Sequence, residues 1–277
     1  MPNFVGGVGV VTGGAHGIGR ALAVEAARRG ASVMIGDVED AASTVAEIEG
    51  IGGKASWRMC DVGDRADVEA LHAATMSTFG GVNLVCSNVS IGAQGPLHLT
   101  SSEDFERILR VNVVGSFALL AVFAPELMRA AEARPPSHFL ITGSENSLGV
   151  PPTELPPYVG QLSAYTFSKQ ALLGMAAVAR RDLAPSGVNV AILCPGWTWN
   201  ERLRQYADTN ERMARILAAY AQTPEYVAAC AFEGMVNGAH IIPTNPISRD
   251  FVVNTHMEIV RAIEAIPVAD FTHPFQL

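Results

Sequence analysis

The chain has 277 residues, of which 49% are apolar and 17% charged; a sizeable core is possible and global disorder is excluded. Its 27 acidic groups outnumber 19 basic ones, giving a formal charge of −8, so a globally basic footprint for nucleic acid or anionic lipid is excluded. The opening Met1-Pro2-Asn3-Phe4 places no basic stretch before an apolar run, and no leader is expected. No apolar stretch approaches the roughly 18–20 residues that cross a bilayer, so neither membrane nor nucleic acid is expected as a partner. Cys60, Cys86, Cys194 and Cys230 are scattered, without CxxC spacing. Buried, reduced cysteines, no metal site and a cytoplasmic location are expected.

The elements alternate in type. Val8–Thr12 is a short apolar strand, followed by a glycine-rich turn and a helix over Gly17–Arg29. Ser32–Gly36 is a strand that ends at Asp37. A helix over Asp40–Gly50, a strand near Ala55–Met59, a helix near Arg65–Phe79 and an apolar run at Asn83–Cys86 follow. Glu103 to about Ala133 reads as one long helical stretch, interrupted or kinked near Pro125. Then come a strand at Phe139–Thr142, a helix at Ala164–Leu183, a strand at Val188–Leu193 and helical stretches at Glu201–Ala221 and Pro224–Asn237. A last strand at His240–Pro243 and a helix from Arg249 to Ile266 close the pattern. The strands lack polar–apolar alternation, which suits parallel strands covered on both faces. The rhythm predicts an α/β doubly wound sheet with helices on both faces. A single domain, 1–277, is expected, with a loop insertion at 146–160.

Between the first strand and helix runs Thr12-Gly13-Gly14-Ala15-His16-Gly17-Ile18-Gly19. A dinucleotide pyrophosphate needs a tight turn, a close backbone approach and a helix N-terminus, and glycines allow all three. The spacing is Gly-x-x-x-Gly-x-Gly, not the usual Gly-x-Gly-x-x-Gly, and its position gives it weight. Asp37, at the end of the second strand, can accept both ribose hydroxyls of an adenosine and would repel a 2′-phosphate. NAD is therefore the expected cofactor, with Arg20 and Arg58 as the groups that could instead hold that phosphate. Asp61 either caps the adenine amino group or serves as a turn or helix cap.

Tyr165 and Lys169 lie four apart and share one helix face. A nearby ammonium can lower a phenol's pKa and make the pair a general acid/base. Ser144 follows a strand whose carboxyl end opens on the expected crevice, where its hydroxyl could hold a substrate oxygen. Asn112 is an amide inside an apolar helix segment and should be paired to water or backbone near Lys169.

Together and in this order, these residues resemble the short-chain dehydrogenase/reductase family. The features are the glycine turn, Asp61, Asn112, Ser144 with Tyr165-Thr166-Phe167-Ser168-Lys169, and Pro195-Gly196. The resemblance spans Val8 to about Pro243. It implies a Rossmann-type parallel sheet of about seven strands and a dimer or tetramer. It makes Tyr165 the acid/base and Lys169 the ligand of the nicotinamide ribose. Ser144 would orient the substrate oxygen and Asn112 hold a proton-relay water. Cofactor contacts would come from Thr12, Gly13, His16, Gly17, Ile18, Gly19, Asp37, Asp61, Val62, Asn88, Tyr165, Lys169, Pro195, Gly196, Thr198 and Asn200.

Three departures stand out. The usual Asn-Asn-Ala-Gly after the fourth strand is Ser87-Asn88-Val89-Ser90. Asn200 stands where a threonine commonly contacts the nicotinamide carboxamide. Ser144 and Tyr165 are 21 positions apart, with Pro151, Pro152, Pro156 and Pro157 between them. The closing Ile241–Pro267 segment is similar to the tail of bacterial dehydrogenases that oxidise the benzylic alcohol of lignin-derived aryl ethers.

These features lead to an NAD-dependent oxidoreductase that interconverts a secondary alcohol and a ketone on a bulky, hydrophobic small-molecule substrate. A lid is expected at 197–222, with Trp197 and Trp199 lining the pocket or packing in the core or at an interface. The competing classes are a nucleotide-binding member without turnover, which should lose Tyr165, Lys169 or Ser144, and an epimerase or dehydratase on the same scaffold.

Overall fold

The computed structural model describes residues 4–133, 137–151 and 162–266. These form a seven-stranded parallel sheet in the order β3-β2-β1-β4-β5-β6-β7. The strands are β1 (Val8–Thr12), β2 (Ser32–Asp37), β3 (Lys54–Met59), β4 (Leu84–Ser87), β5 (Ser137–Thr142), β6 (Val188–Cys194) and β7 (Ile241–Pro243). The strand order reverses between β1 and β4, so a crevice opens there at the carboxyl ends.

Adjacent residues in a strand point to opposite faces, and the core divides accordingly. Val11, Ile35, Cys86, Leu140 and Leu193 face one layer, with α1 (Gly17–Arg28) and a later helix, α9 (Pro224–Val236). Val10, Met34, Val85, Phe139 and Ile192 face the other, with α3 (Arg65–Phe79), α5 (Gly115–Ala133) and α6 (Ser163–Leu183). Inner strands β4 and β5 are buried throughout, whereas edge strand β3 exposes Lys54, Arg58 and Met59. The remaining helices are α2 (Ala42–Gly50), α4 (Ser102–Leu109), α7 (Glu201–Thr209), α8 (Glu211–Tyr220) and α10 (Arg249–Glu264).

Four expectations need correction. The long helix is irregular at Arg110–Val114, a π turn, and runs unbroken through Pro125. The Ser102–Ala133 stretch is apolar enough, by length and composition, to cross a membrane, with a mean hydropathy of 1.8 over 18 residues. Here it packs on the sheet through Leu119, Phe123 and Leu127. The helical stretch 201–221 breaks at Asn210, whose side chain accepts from Met213 N and caps α8. Cys230 is half-buried, unlike Cys60, Cys86 and Cys194. Burial pushes the last three thiols up to about 12, leaving them poor nucleophiles.

Candidate active site

The glycine turn is built by steric need. Gly13 and Gly17 have φ of 67° and 55°, values that favour glycine. A Cβ on Gly19 would sit 1.9 Å from the Gly13 carbonyl oxygen, and one on Gly14 would meet Ile35 at 2.7 Å. A Cβ on Gly17 would meet nothing within 4 Å, so the turn is open on the side that faces the cleft. His16 stands at the N-cap of α1 without a side-chain cap bond. The first-turn N–H groups therefore have no capping side chain, and that suits an anion.

Asp37 sits at the end of β2, 9% exposed. Its Oδ2 accepts from Ala15 N at 2.8 Å and its Oδ1 from Glu39 N at 3.1 Å. The carboxylate thus braces the glycine turn and keeps lone pairs for a diol. Arg20 is held by Glu47 at 2.6 Å and Glu225 at 3.5 Å, and Arg58 is exposed on the edge strand. An uncapped helix start, an open glycine face and a braced carboxylate together fit the phosphates and ribose of a dinucleotide.

A cleft of about 630 Å³ runs along the carboxyl ends of the strands. Its wall includes Gly13, Gly17, Ile18, Asp37, Asp61, Val62, Asn88, Ser144, Tyr165, Pro195, Gly196, Thr198 and Asn200. Thr12, Gly19, Asn112 and Lys169 lie behind that wall. Thr12 Oγ1 accepts from Asn88 N at 3.2 Å and so fixes the loop after β4 to the turn. His16 is not part of that wall, and its exposed ring pairs with Glu39 at 3.1 Å. Asp61 behaves first as a turn residue, its Oδ1 accepting from Gly63 N at 2.8 Å. Asn200 is the N-cap of α7, its Oδ1 accepting from Leu203 N at 2.8 Å, which leaves its amide N–H groups for a ligand. Thr198 Oγ1 donates to Gly196 O at 3.1 Å.

Lys169 is fully buried. Its Nζ donates to Thr142 O at 2.8 Å and lies 5.4 Å from the centre of the Tyr165 ring. Burial lowers its pKa to about 7. Tyr165 is half-buried on the cleft wall, and a Cβ on Gly92 would touch its ring at 3.4 Å. Ser144 caps a single helical turn, Glu145–Leu148, its Oγ accepting from Asn146 N at 3.3 Å.

Asn112 pairs with backbone, one of the two kinds of partner expected of it. Its Oδ1 accepts from Ile91 N at 2.8 Å, and its Nδ2 donates to Ile91 O and Ser168 Oγ, both at 2.9 Å. Its backbone carbonyl accepts from Ser116 Oγ at 2.8 Å. The π turn aims the side-chain amide at the loop after β4. Ser168 in turn donates to Tyr165 O at 2.7 Å. The sequence reading missed the positional part played by Ser168, and also Ile91 and Thr166, since none of them carries a signal outside the folded chain.

Trp197 and Trp199 do two things at once. Both line the cleft, and both pack against a satellite core of Leu203, Met213 and Leu217. Leu203 also reaches the cleft, but Tyr206, Met213, Ile216, Leu217 and Tyr220 do not line it, and Tyr220 is exposed. Of the loop insertion, Pro152 to Gln161 lies outside the described residues.

The family model described as short chain dehydrogenase matches residues 8–211. An uncharacterized oxidoreductase of Thermotoga maritima is 35% identical over 204 residues, 73% of this chain and 75% of that one. A 2,5-dichloro-2,5-cyclohexadiene-1,4-diol dehydrogenase of Sphingobium indicum is 31% identical over 212 residues, 76% and 80% of the two chains. A solved short chain dehydrogenase/reductase from Burkholderia phymatum, in complex with NAD, is 27% identical with a TM-score of 0.80, and covers 100% of both chains.

Proposed function

The chain belongs to the short-chain dehydrogenase family, and from that premise we propose that it is an NAD-dependent enzyme interconverting a secondary alcohol and a ketone. The observation that carries this reading is the dehydrated Lys169, fixed on Thr142 O beside the Tyr165 ring at the cleft wall. An ammonium there is poorly solvated, so a phenolate at Tyr165 stabilises it, and it stabilises the phenolate in return. In oxidation, Tyr165 takes the hydroxyl proton of the substrate while Ser144 holds the same oxygen. In reduction, Tyr165 returns the proton. When bound, the nicotinamide accepts or returns the hydride.

Gly13, Gly17, Ile18 and the uncapped start of α1 would hold the pyrophosphate, and Asp37 the adenosine ribose. Asn112 acts through Ile91 and Ser168, which makes it a positioning residue on this reading. The residues 197–222 act as the lid of a single domain, and Trp197, Trp199 and Leu203 favour a bulky hydrophobic substrate. The Sphingobium relative is named for a cyclic diol, which agrees with a ring alcohol here. Four free cysteines, three of them buried, suit a cytoplasmic enzyme. Exposed Val114, Phe117, Phe167 and Val178 on the helical layer support a homodimer or homotetramer.

The test is an absorbance assay of NAD and NADP reduction against a panel of secondary alcohols, with Tyr165→Phe alongside. Removing one hydroxyl should lower turnover by about 10²–10⁴-fold and leave NAD binding intact. A panel with no turnover, or a Phe variant that retains more than about a tenth of the wild-type rate, would sink the reading.

A further inference from the structure

The segment 197–222 packs on itself. Trp197, Trp199 and Ile216 gather on Leu203, Met213 and Leu217, a core separate from the two that cover the sheet. Among the described residues, α7 and α8 pack chiefly on each other. Whatever joins such a unit to the sheet decides where its cleft-lining residues stand.

Gln222 makes that join. It lies between the end of α8 and Thr223, the N-cap of α9. Its N donates to Trp197 O at 2.8 Å and its carbonyl accepts from Trp199 N at 2.9 Å. A parallel bridge between Thr198 and Gln222 thus draws the two ends of the segment into one neck. The side chain of Gln222 reaches the end of β7, where Nε2 donates to Thr244 O and Oε1 accepts from Thr244 Oγ1 at 2.6 Å. Thr244 is buried, and its N donates to Cys194 O at 3.3 Å. Asn245 adds to the hold. Its Nδ2 donates to Tyr220 O at 2.9 Å, and it packs so closely on Gly196 that an added Cβ there would lie 2.6 Å away.

We propose that Gln222 is a positioning residue for the substrate: its side-chain amide, clasped by Thr244, fixes the neck of the 197–222 segment to the sheet and so sets where Trp197 and Trp199 stand in the cleft. This rests on the reading of that segment as the wall for a bulky alcohol.

The contact calls for an amide. Thr244 O can only accept, so the group that faces it must donate, while the Thr244 hydroxyl spends its proton on Oε1. A primary amide supplies a donor and an acceptor side by side. An apolar side chain would leave both Thr244 groups without this partner, a cost that falls on a buried site. Both backbone bonds of Gln222 can survive a change of side chain, so the neck stays closed on itself and only its anchor to β7 is released. The glycine turn and Asp37 belong to β1 and β2, whereas β7 is the opposite edge of the sheet. The loss should therefore fall on the substrate more than on the cofactor.

Gln222→Met keeps the length of the side chain and removes both polar groups. In this variant KM for an aryl secondary alcohol should rise about fivefold or more with kcat little changed, and the preference for that alcohol over 2-propanol should fall by a similar factor. The NAD dissociation constant should stay within about twofold. Thr244→Val, the milder change, should move KM in the same direction, and Thr244→Ser, which keeps the hydroxyl, should restore it. The double variant Gln222→Met/Thr244→Val should be no worse than Gln222→Met, because the two side chains act as one contact. Without any substrate, the amides of Trp199 and Gln222 should exchange hydrogen about tenfold or more faster in Gln222→Met while those of β5 are unchanged.

An unchanged KM, a loss shared equally by both alcohols, or additive effects in the double variant would overturn the proposal. If Gln222→Met does not fold, the Thr244 pair decides, and equal KM values in the Val and Ser variants would overturn it. A wild type without turnover, or without preference for the aryl alcohol, would instead strike the reading of the segment as a substrate wall and the substrate half of this inference. Hydrogen exchange would then decide the clasp, and unchanged exchange at Trp199 and Gln222 would remove it.

Discussion

Lys169 donates a 2.8 Å hydrogen bond to the carbonyl of Thr142, and this bond ties α6 to the carboxyl end of β5. Thr142 precedes Gly143 and Ser144, so the lysine and the serine share one anchor. The anchor is short of charge, because the carbonyl offers a dipole where burial has removed water. That is the physical cause of the lowered lysine pKa, about 7.

A linkage follows from it. A lysine depressed on folding carries a penalty that is full below about 7 and disappears as pH rises to its ordinary 10.5. The free protein should therefore gain stability over that interval. Lys169→Met should remove the slope and match or exceed wild-type stability at pH 7 while losing turnover. Thermal melts at pH 7 and about pH 9.5 check the sign. A wild type that loses stability relative to the Met variant as pH rises would contradict the assignment.

Coenzyme choice should depend on Asp37. In a crevice of low dielectric its carboxylate opposes a 2′-phosphate, and Arg20 is tied up by Glu47 and Glu225. The wild type should have the higher kcat/KM with NAD. Asp37→Ala should narrow the NAD/NADP ratio by about tenfold, about 1.4 kcal/mol. The ratio is the quantity to compare, because the substitution also frees Ala15 N and Glu39 N and will lower stability. Equal efficiency on NADP in the wild type would defeat this reading.

Much of this site was legible in the sequence because its signals are local. The glycine turn, the Tyr165–Lys169 spacing and the acid at the end of β2 each depend on neighbours within a few residues. What was not legible depends on contacts across the fold. Asn112 was expected to pair with water or backbone, but its backbone partner Ile91 is 21 positions away and meets it through a π turn. Asn200 and Asn210 read as a cofactor contact and as a helix interior, yet both cap helices. An asparagine side chain satisfies first-turn N–H groups wherever the backbone leaves the helix, and periodicity alone does not mark that place.

Assembly should depend on the outer faces of α5 and α6. Phe117 is 53% exposed and Phe167 45%, whereas Leu172, Ala176 and Ala179 face the sheet. Large exposed aromatics of this kind favour a partner surface. Phe117→Asp should shift the mass measured by light scattering towards the 29.3 kDa protomer and leave the melting curve of the protomer intact. A wild type that is a strict monomer at micromolar concentration would end the argument.

Substrate size should be set by the apolar part of the cleft wall. Trp197, Trp199 and Leu203 line the cleft, and the two indoles are backed by Met213 and Leu217. The satellite core therefore serves as a rigid support behind the wall, tied down where Gln222 N donates to Trp197 O at 2.8 Å. Val89 and Ile91 line the same cleft, the latter fixed by Asn112. A small alcohol would leave this apolar space wet, whereas an aryl or polycyclic secondary alcohol would fill it and bury the indole faces. Catalytic efficiency should thus be at least about tenfold higher on the bulky alcohol than on 2-propanol, about 1.4 kcal/mol of differential transition-state binding. Trp199→Ala should remove most of that preference by lowering efficiency on the bulky alcohol alone. If the variant instead lost activity on both substrates equally, Trp199 would be a support of the lid and not a wall of the pocket. Matched kcat/KM measurements on the two alcohols, for wild type and variant, separate these outcomes.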